Sequence, residues 1–246
     1  MYIPALSINN LRIAFRHPSI VLAIARGTTQ PELAKLHAGI EIVRTKKLFE
    51  KVAGDIPEGH VFDVVNYLIR HCWNNCYTKG YLYAICRWYR PRLVVETGVC
   101  YGISTLFILS ALDDNKTGKL YSVDTPNITY RKDGGTHSDL LPKGQEPGFI
   151  VPQSLRQRWY LTLGTSRQKL PQILNQLGHI DLFHHDSEHS YETMTYEYQT
   201  VWPYLRQGGL LLSDDVSWNK AFLDFCSTVN CRYSVYRGKG LAYKIS

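Results

Sequence analysis

"VVETGVCYGIST", residues 94–105, decides the fold. Two β-branched residues run into Glu96, glycines follow at 98 and 102, and Ser104 and Thr105 open an apolar segment. An apolar run without polar alternation marks a strand buried on both faces, as in parallel sheets covered by helices. Glycines just beyond such a strand let backbone or ligand approach where a Cβ would intervene. Strand, glycine turn and helix in that order form the corner of an open α/β sheet where ligands sit, beyond the carboxyl ends of the strands.

The same grammar continues downstream. "RLVVE", "KLYSVD", "WYLTLG", "HIDLFHHD" and "GGLLLSDD" read as strands, with "STLFILSAL", "SRQKLPQILNQLG", "YETMTYEYQTVWPYLRQ" and "NKAFLDFCSTV" as the helices between and after them. Alternation of this kind builds a doubly wound parallel sheet. "RYSVYRGKGLAYKIS" adds an antiparallel hairpin across a Gly-containing turn, for seven strands in a Rossmann-like α/β fold. Upstream of Pro91 the apolar spacing is helical, beginning with "TTQPELAKLHAGIEIVRTKKLFEKVA" after a cap-like Thr pair and an early Pro31. The expected organisation is a helical N-terminal extension, 1–90, and a ligand-binding domain, 91–246. Residues 125–158, rich in Gly and Pro, are too long for an ordinary connection and are expected to form a lid. Arg131, Lys132, Lys143, Arg156 and Arg158 make it basic.

Composition narrows the classes. At 246 residues with 44% hydrophobic content, the chain can bury a substantial core, which excludes global disorder. Its six cysteines contain no C-x-x-C pair, so they are read as reduced and mostly buried, with a cytoplasmic location. No apolar run reaches the roughly 18–20 residues of a spanning helix. Arg12, Arg16 and Arg26 with no acid among the first thirty residues make a basic segment that can pack on its own domain or rest on a membrane surface. Lys plus Arg exceeds Asp plus Glu by 28 − 21 = 7, which suits an anionic partner. Zinc-finger spacing and aromatic-basic RNA-binding signatures are missing, so nucleic acid is not the expected partner.

Acids mark the strand ends: Glu96, Asp124, Asp186 and the doublet Asp214–Asp215, with Gly164-Thr165-Ser166 closing the remaining one. An acid at the end of the second strand can accept both ribose hydroxyls of a nucleoside cofactor. A dinucleotide turn wants G-x-G-x-x-G so that pyrophosphate meets a helix N-terminus. Here the spacing is E-x-G-x-x-x-G, and a carboxylate just upstream suits a cationic ligand with an ammonium and a sulfonium, S-adenosylmethionine rather than NAD. A nicotinamide oxidoreductase is the alternative this spacing disfavours. A non-catalytic module binding partners or membrane through its basic N-terminus is another.

These motifs resemble class I S-adenosylmethionine-dependent methyltransferases, and more narrowly the metal-dependent catechol- and macrocin-type O-methyltransferases, over residues 90–246. "ETGVCYGIS" is similar to their glycine loop, "LYSVDTP" to the ribose-binding strand, and "LGTSRQKLPQIL" to the segment flanking adenine. The resemblance implies cofactor contacts from Glu96, Gly98, Tyr101, Gly102, Ser104, Asp124, Thr165, Ser166, Arg167 and Asp186. "IDLFHHDSEHSYE" and "LRQGGLLLSDDV" resemble the strands that supply a Mg²⁺ site, which implies Asp186, Asp214 and Asp215 as ligands. Carboxylate oxygens are what Mg²⁺ prefers, and it can lower the pKa of an acceptor hydroxyl and orient it. The plainer reading of Asp214 or Asp215 is a helix cap.

His189 falls three residues after Asp186, where the resembling enzymes carry a lysine base, and an imidazole titrates in a range apt for that work. His189 and Asp186 are therefore the expected catalytic residues. A zinc site of His185, Asp186 and His189 is a minor alternative, because His184 and His185 point to opposite faces of a strand. Glu188 and Tyr191 line the site or cap the helix. The function expected is Mg²⁺-assisted O-methylation of a small-molecule or sugar hydroxyl, by a chain that pairs with copies of itself. A metal-independent methyltransferase is the nearest alternative.

Overall fold

The computed structural model describes residues 28–75, 79–125, 141–142 and 144–245, with Ser19, Ala23 and the pairs 131–132 and 135–136. The basic segment around Arg12, Arg16 and Arg26, Lys143, and residues 126–130, 133–134 and 137–140 of the expected lid lie outside the described residues.

Helix α1 (Gln30–Val52) starts where the Glu32 carboxylate accepts the Thr29 N–H at 3.0 Å. Helices α2 (Val61–Asn75) and α3 (Gly80–Tyr89) follow. Arg90, with φ +53, ends α3 in a left-handed cap, and Pro91 keeps the helix from resuming. Then come β1 (Leu93–Thr97), α4 (Ile103–Asp114), β2 (Lys119–Asp124), β3 (Trp159–Leu163), α5 (Ser166–Leu177), β4 (Ile180–His185), α6 (Tyr191–Val201), β5 (Leu205–Ser213), α7 (Ala221–Thr228), β6 (Cys231–Tyr236) and β7 (Lys239–Lys244). The sheet order is β3-β2-β1-β4-β5-β7-β6. The first five strands pair in parallel, and β7 and β6 are antiparallel, as expected.

Strand periodicity sorts the side chains into two layers. Val94, Leu120, Leu182, Leu210 and Leu212 face a core that includes Val65, Leu68, Leu82, Ile85, Phe107 and Leu109 of α2, α3 and α4. Val95, Val123, Phe183 and Leu211 face the opposite core, with Leu170, Tyr198 and Phe222 of α5, α6 and α7. Helices α2 and α3 thus share one continuous core with the sheet, across the boundary expected at residue 90.

The stretch expected to be a lid divides. Phe149, Ile150 and Val151 are buried. Arg156 donates to the carbonyls of Gly148 and Val151 and lies over the Trp159 ring, while Arg158 pairs with Asp113. From Gly148 onward the segment is therefore wall rather than lid, and two of its cations serve the fold. Among the described residues no helix is long and apolar enough to cross a membrane. Cys86, Cys100, Cys226 and Cys231 are free thiols.

Candidate functional site

The carboxyl ends of β1, β2 and β4 and the start of α5 enclose a cavity of about 260 Å³. Thr97, Gly98 and Cys100 come from the first strand end, Val123, Asp124 and Thr125 from the second. Thr165, Ser166 and Arg167 open α5, and Asp186, Ser187 and Glu188 follow β4; Leu141 and Thr193 complete the wall. Six expected ligand residues therefore converge: Gly98, Asp124, Thr165, Ser166, Arg167 and Asp186.

The glycine turn is fixed from below. Gly98 has φ +83, and a Cβ there would lie 2.1 Å from the Asp186 carbonyl oxygen, so glycine is what lets the ends of β1 and β4 close on each other. Gly102, φ +93, is pressed in the same way by Gly148, with 2.7 Å from a hypothetical Cβ to its Cα. Its role is to seat the buried wall segment against α4. Asp124 Oδ2 accepts the N–H groups of Val99 and Cys100, both at 2.7 Å. That pins the turn to β2 and leaves Oδ1 without a donor among the described residues.

Glu96 is elsewhere. It shares the face of Val94, is fully buried, and its Oε2 accepts the hydroxyls of Thr105 at 2.8 Å and Ser122 at 2.9 Å. Period-two alternation thus points its carboxylate under the turn, against α4, rather than at a ligand; the expected direct grip on a cationic cofactor is corrected. Ser104 is buried on the same helix, and Tyr101, tilted on Phe149, and Gly102 also lie off the cavity wall. On the opposite face of β1, Thr97 donates to Glu197 Oε2 at 2.5 Å.

Glu197, on α6, is the buried hub that sequence spacing missed. It also receives His185 Nδ1 at 2.8 Å and Ser187 at 2.8 Å. Burial opposes its ionisation, but His185 and the hydrogen bonds hold it below the ordinary carboxylate range. His189 lies beyond, edge-on to His185 and Trp218, with Nε2 3.5 Å from Asp215 Oδ2 and Nδ1 buried without a hydrogen-bond partner. Burial first, then His185, lowers its pKa to about 4, so it is neutral at pH 7 and a weak base. It does not border the cavity. Of the two expected catalytic residues only Asp186 borders the cavity, and burial raises its pKa against the pull of Lys79. The zinc alternative fails on placement: among the described residues the metal-ligating atoms that converge are those of His184, Asp186 and Asp214, not those of His185 and His189.

The three expected metal ligands do not assemble. Asp215 has φ +51 and turns toward His189. Asp186 and Asp214 do converge, but on a lysine: Lys79 Nζ lies 2.6 Å from Asp186 Oδ2 and donates to Asp214 Oδ2 as well. The other oxygen of Asp214 takes the Tyr81 hydroxyl at 2.8 Å and Lys239 Nζ at 2.9 Å. Both oxygens of this buried carboxylate are thus engaged, and the arrangement does not fit a bound Mg²⁺, which needs free oxygens and room for water. Burial disfavours charge on Lys79, yet the two aspartates overcome it and hold the ammonium protonated; Asp214 in turn is held well below the carboxylate range despite its burial, with Lys79 the leading cause. Neither Lys79 nor Lys239 sits in a motif, so only the folded chain brings them here.

Residues 95–216, about half of the chain, match the family described as a methyltransferase domain. No curated protein sequence matches. Among solved structures, the calicheamicin methyltransferase CalS11 is 17% identical, with 82% of this chain and 91% of that chain covered and a TM-score of 0.52. A methyltransferase of Geobacter sulfurreducens is 17% identical over 82% of this chain and 97% of its own, with a TM-score of 0.49. The SAH-bound methyltransferase PaMTH1 of Podospora anserina is 14% identical over 68% and 77%, also at 0.49. Residues 95–216, which hold the glycine turn, the cavity and the acidic strand ends, match the methyltransferase-domain family, and the chain has the class I methyltransferase fold.

Proposed function

We propose that the chain transfers the methyl group of S-adenosylmethionine to the hydroxyl oxygen of a small molecule or sugar. The observation that carries this reading is that Asp124 and Asp186 border one cavity at the glycine turn. S-adenosylmethionine supplies an electrophilic methyl carbon on a sulfonium. Asp124 Oδ1 accepts from the ribose, Thr165, Ser166 and Arg167 flank the base, and the N–H groups of the turn stay committed to Asp124 Oδ2. Asp186 takes the acceptor's proton. The acceptor oxygen forms the new C–O bond while the C–S bond breaks and its electron pair stays on sulfur, leaving S-adenosylhomocysteine.

A carboxylate with a raised pKa is the better proton acceptor, and Asp186 is the cavity-lining carboxylate so shifted. We assign no step to Mg²⁺, because Asp186 and Asp214 are engaged by Lys79, Lys239 and Tyr81 and Asp215 turns toward His189. CalS11, a TDP-rhamnose 3′-O-methyltransferase, shares the fold, which is compatible with a sugar hydroxyl as acceptor. The test is mass spectrometry of hydroxylated acceptors, TDP-sugars and catechols included, incubated with the chain and S-adenosylmethionine. Methylated product from the wild type, and at least about 100-fold less from Asp186→Asn with cofactor binding retained, is expected. Methylation confined to amine-bearing acceptors would reject the oxygen reading.

A further inference from the structure

We infer that Lys79 is the resident cation of the Asp186–Asp214 pair and positions Asp186, so that the chain works without a divalent metal. The inference rests on the reading of Asp186 as the acceptor-side base. Two carboxylates here face two ammonium groups, Lys79 and Lys239, so the buried cluster is already neutral by formal charge. Adding a divalent cation would leave two uncompensated positive charges where Asp214 is 2% exposed, and removing charge from water into such a place is costly. Entry of a metal therefore requires Lys79 to leave.

What Lys79 covers has the makings of a metal site once it is gone. One nitrogen of His184 and carboxylate oxygens of Asp186 and Asp214 lie within 4.8 Å of one another. His184 is fully buried on the face of Leu182, and neither of its ring nitrogens has a hydrogen-bond partner. One imidazole and two carboxylates suit Mn²⁺. Lys79, directly before α3, reaches across to close this triad and fixes the Asp186 carboxylate at the cavity wall.

The test is Mn²⁺ titration of the full-length chain after chelator treatment, read by electron paramagnetic resonance, with S-adenosylhomocysteine calorimetry on the same samples. Wild type and Lys79→Arg are expected to leave Mn²⁺ free, whereas Lys79→Met gains one site, at least about tenfold tighter than any wild-type binding. Saturable Mn²⁺ binding by the wild type that Asp186→Asn removes overturns the inference, as does a folded Lys79→Met chain that gains nothing. Should Lys79→Met fail to fold, the wild-type titration alone decides. Failure to bind S-adenosylhomocysteine instead rejects the cofactor reading, whatever Mn²⁺ does.

Discussion

Gly98 meets the backbone of Asp186 so closely that a methyl group on its Cα would lie 2.1 Å from the Asp186 carbonyl oxygen. The Asp186 N–H, meanwhile, donates to the carbonyl of Thr97 at 2.9 Å. The ends of β1 and β4 are thus locked together at the floor of the cavity. Gly98→Ala has to move a backbone and place a Cβ at φ +83, so it should destabilise the fold by at least about 2 kcal/mol. Urea unfolding measures this; an unchanged midpoint would show that the approach is looser than described.

Glu96→Gln separates a buried strut from a ligand contact. The carboxylate serves Thr105, Ser122 and the nearby His184 ring, 3.8 Å away. Loss of charge-assisted bonds in a fully enclosed place should cost about 1–3 kcal/mol of stability. Affinity of the folded protein for S-adenosylhomocysteine should stay within about threefold of wild type. A large loss of affinity with normal stability would restore Glu96 to the binding surface.

Much of this was legible in the sequence, and the part that was not has a physical reason. All seven strands were legible: both-face burial leaves continuous runs such as "LVV" and "DLFHH" in the central strands, while the half-exposed β6 was marked, with β7, by the Gly-containing turn between them. Asp124, Asp186 and Thr165 to Arg167 could be placed because strand ends in a parallel sheet fall along one edge. The direction of Glu96 was also readable in principle: it alternates with Val95, and Val94 and Glu96 must share a face. The Asp214 partners were not readable. Lys79 precedes a helix and Lys239 starts a hairpin strand, and nothing local to either residue indicates that tertiary packing brings both to one carboxylate.

Asp124→Asn tests the clamp on the turn. Asparagine keeps an acceptor oxygen but gives up the charge that strengthens two 2.7 Å bonds to Val99 and Cys100. Affinity for S-adenosylhomocysteine should fall about 10- to 100-fold, with the near-ultraviolet circular dichroism retained. Calorimetry that finds equal affinity contradicts the assignment.

His189 sets a pH signature for stability. Its folded-state pKa is lowered to about 4, below the ordinary imidazole value of 6.5, so the unfolded chain takes up a proton first as pH falls. Stability is then lost as pH drops from about 6.5 to about 4, with a slope approaching 1.4 kcal/mol per pH unit from this residue. His189→Gln should flatten that slope. Unfolding free energies of both proteins, measured in steps through this window, check it; parallel curves would mean that His189 is not held neutral.

The central claim is that the cavity over the glycine turn receives S-adenosylmethionine, and calorimetric titration of the folded wild-type chain tests it most directly. The account predicts one saturable site for S-adenosylhomocysteine, retained in excess chelator and unaffected by competing NAD. A folded chain that gives no binding heat with either S-adenosylmethionine or S-adenosylhomocysteine, or that binds only when Mg²⁺ is supplied, would contradict it.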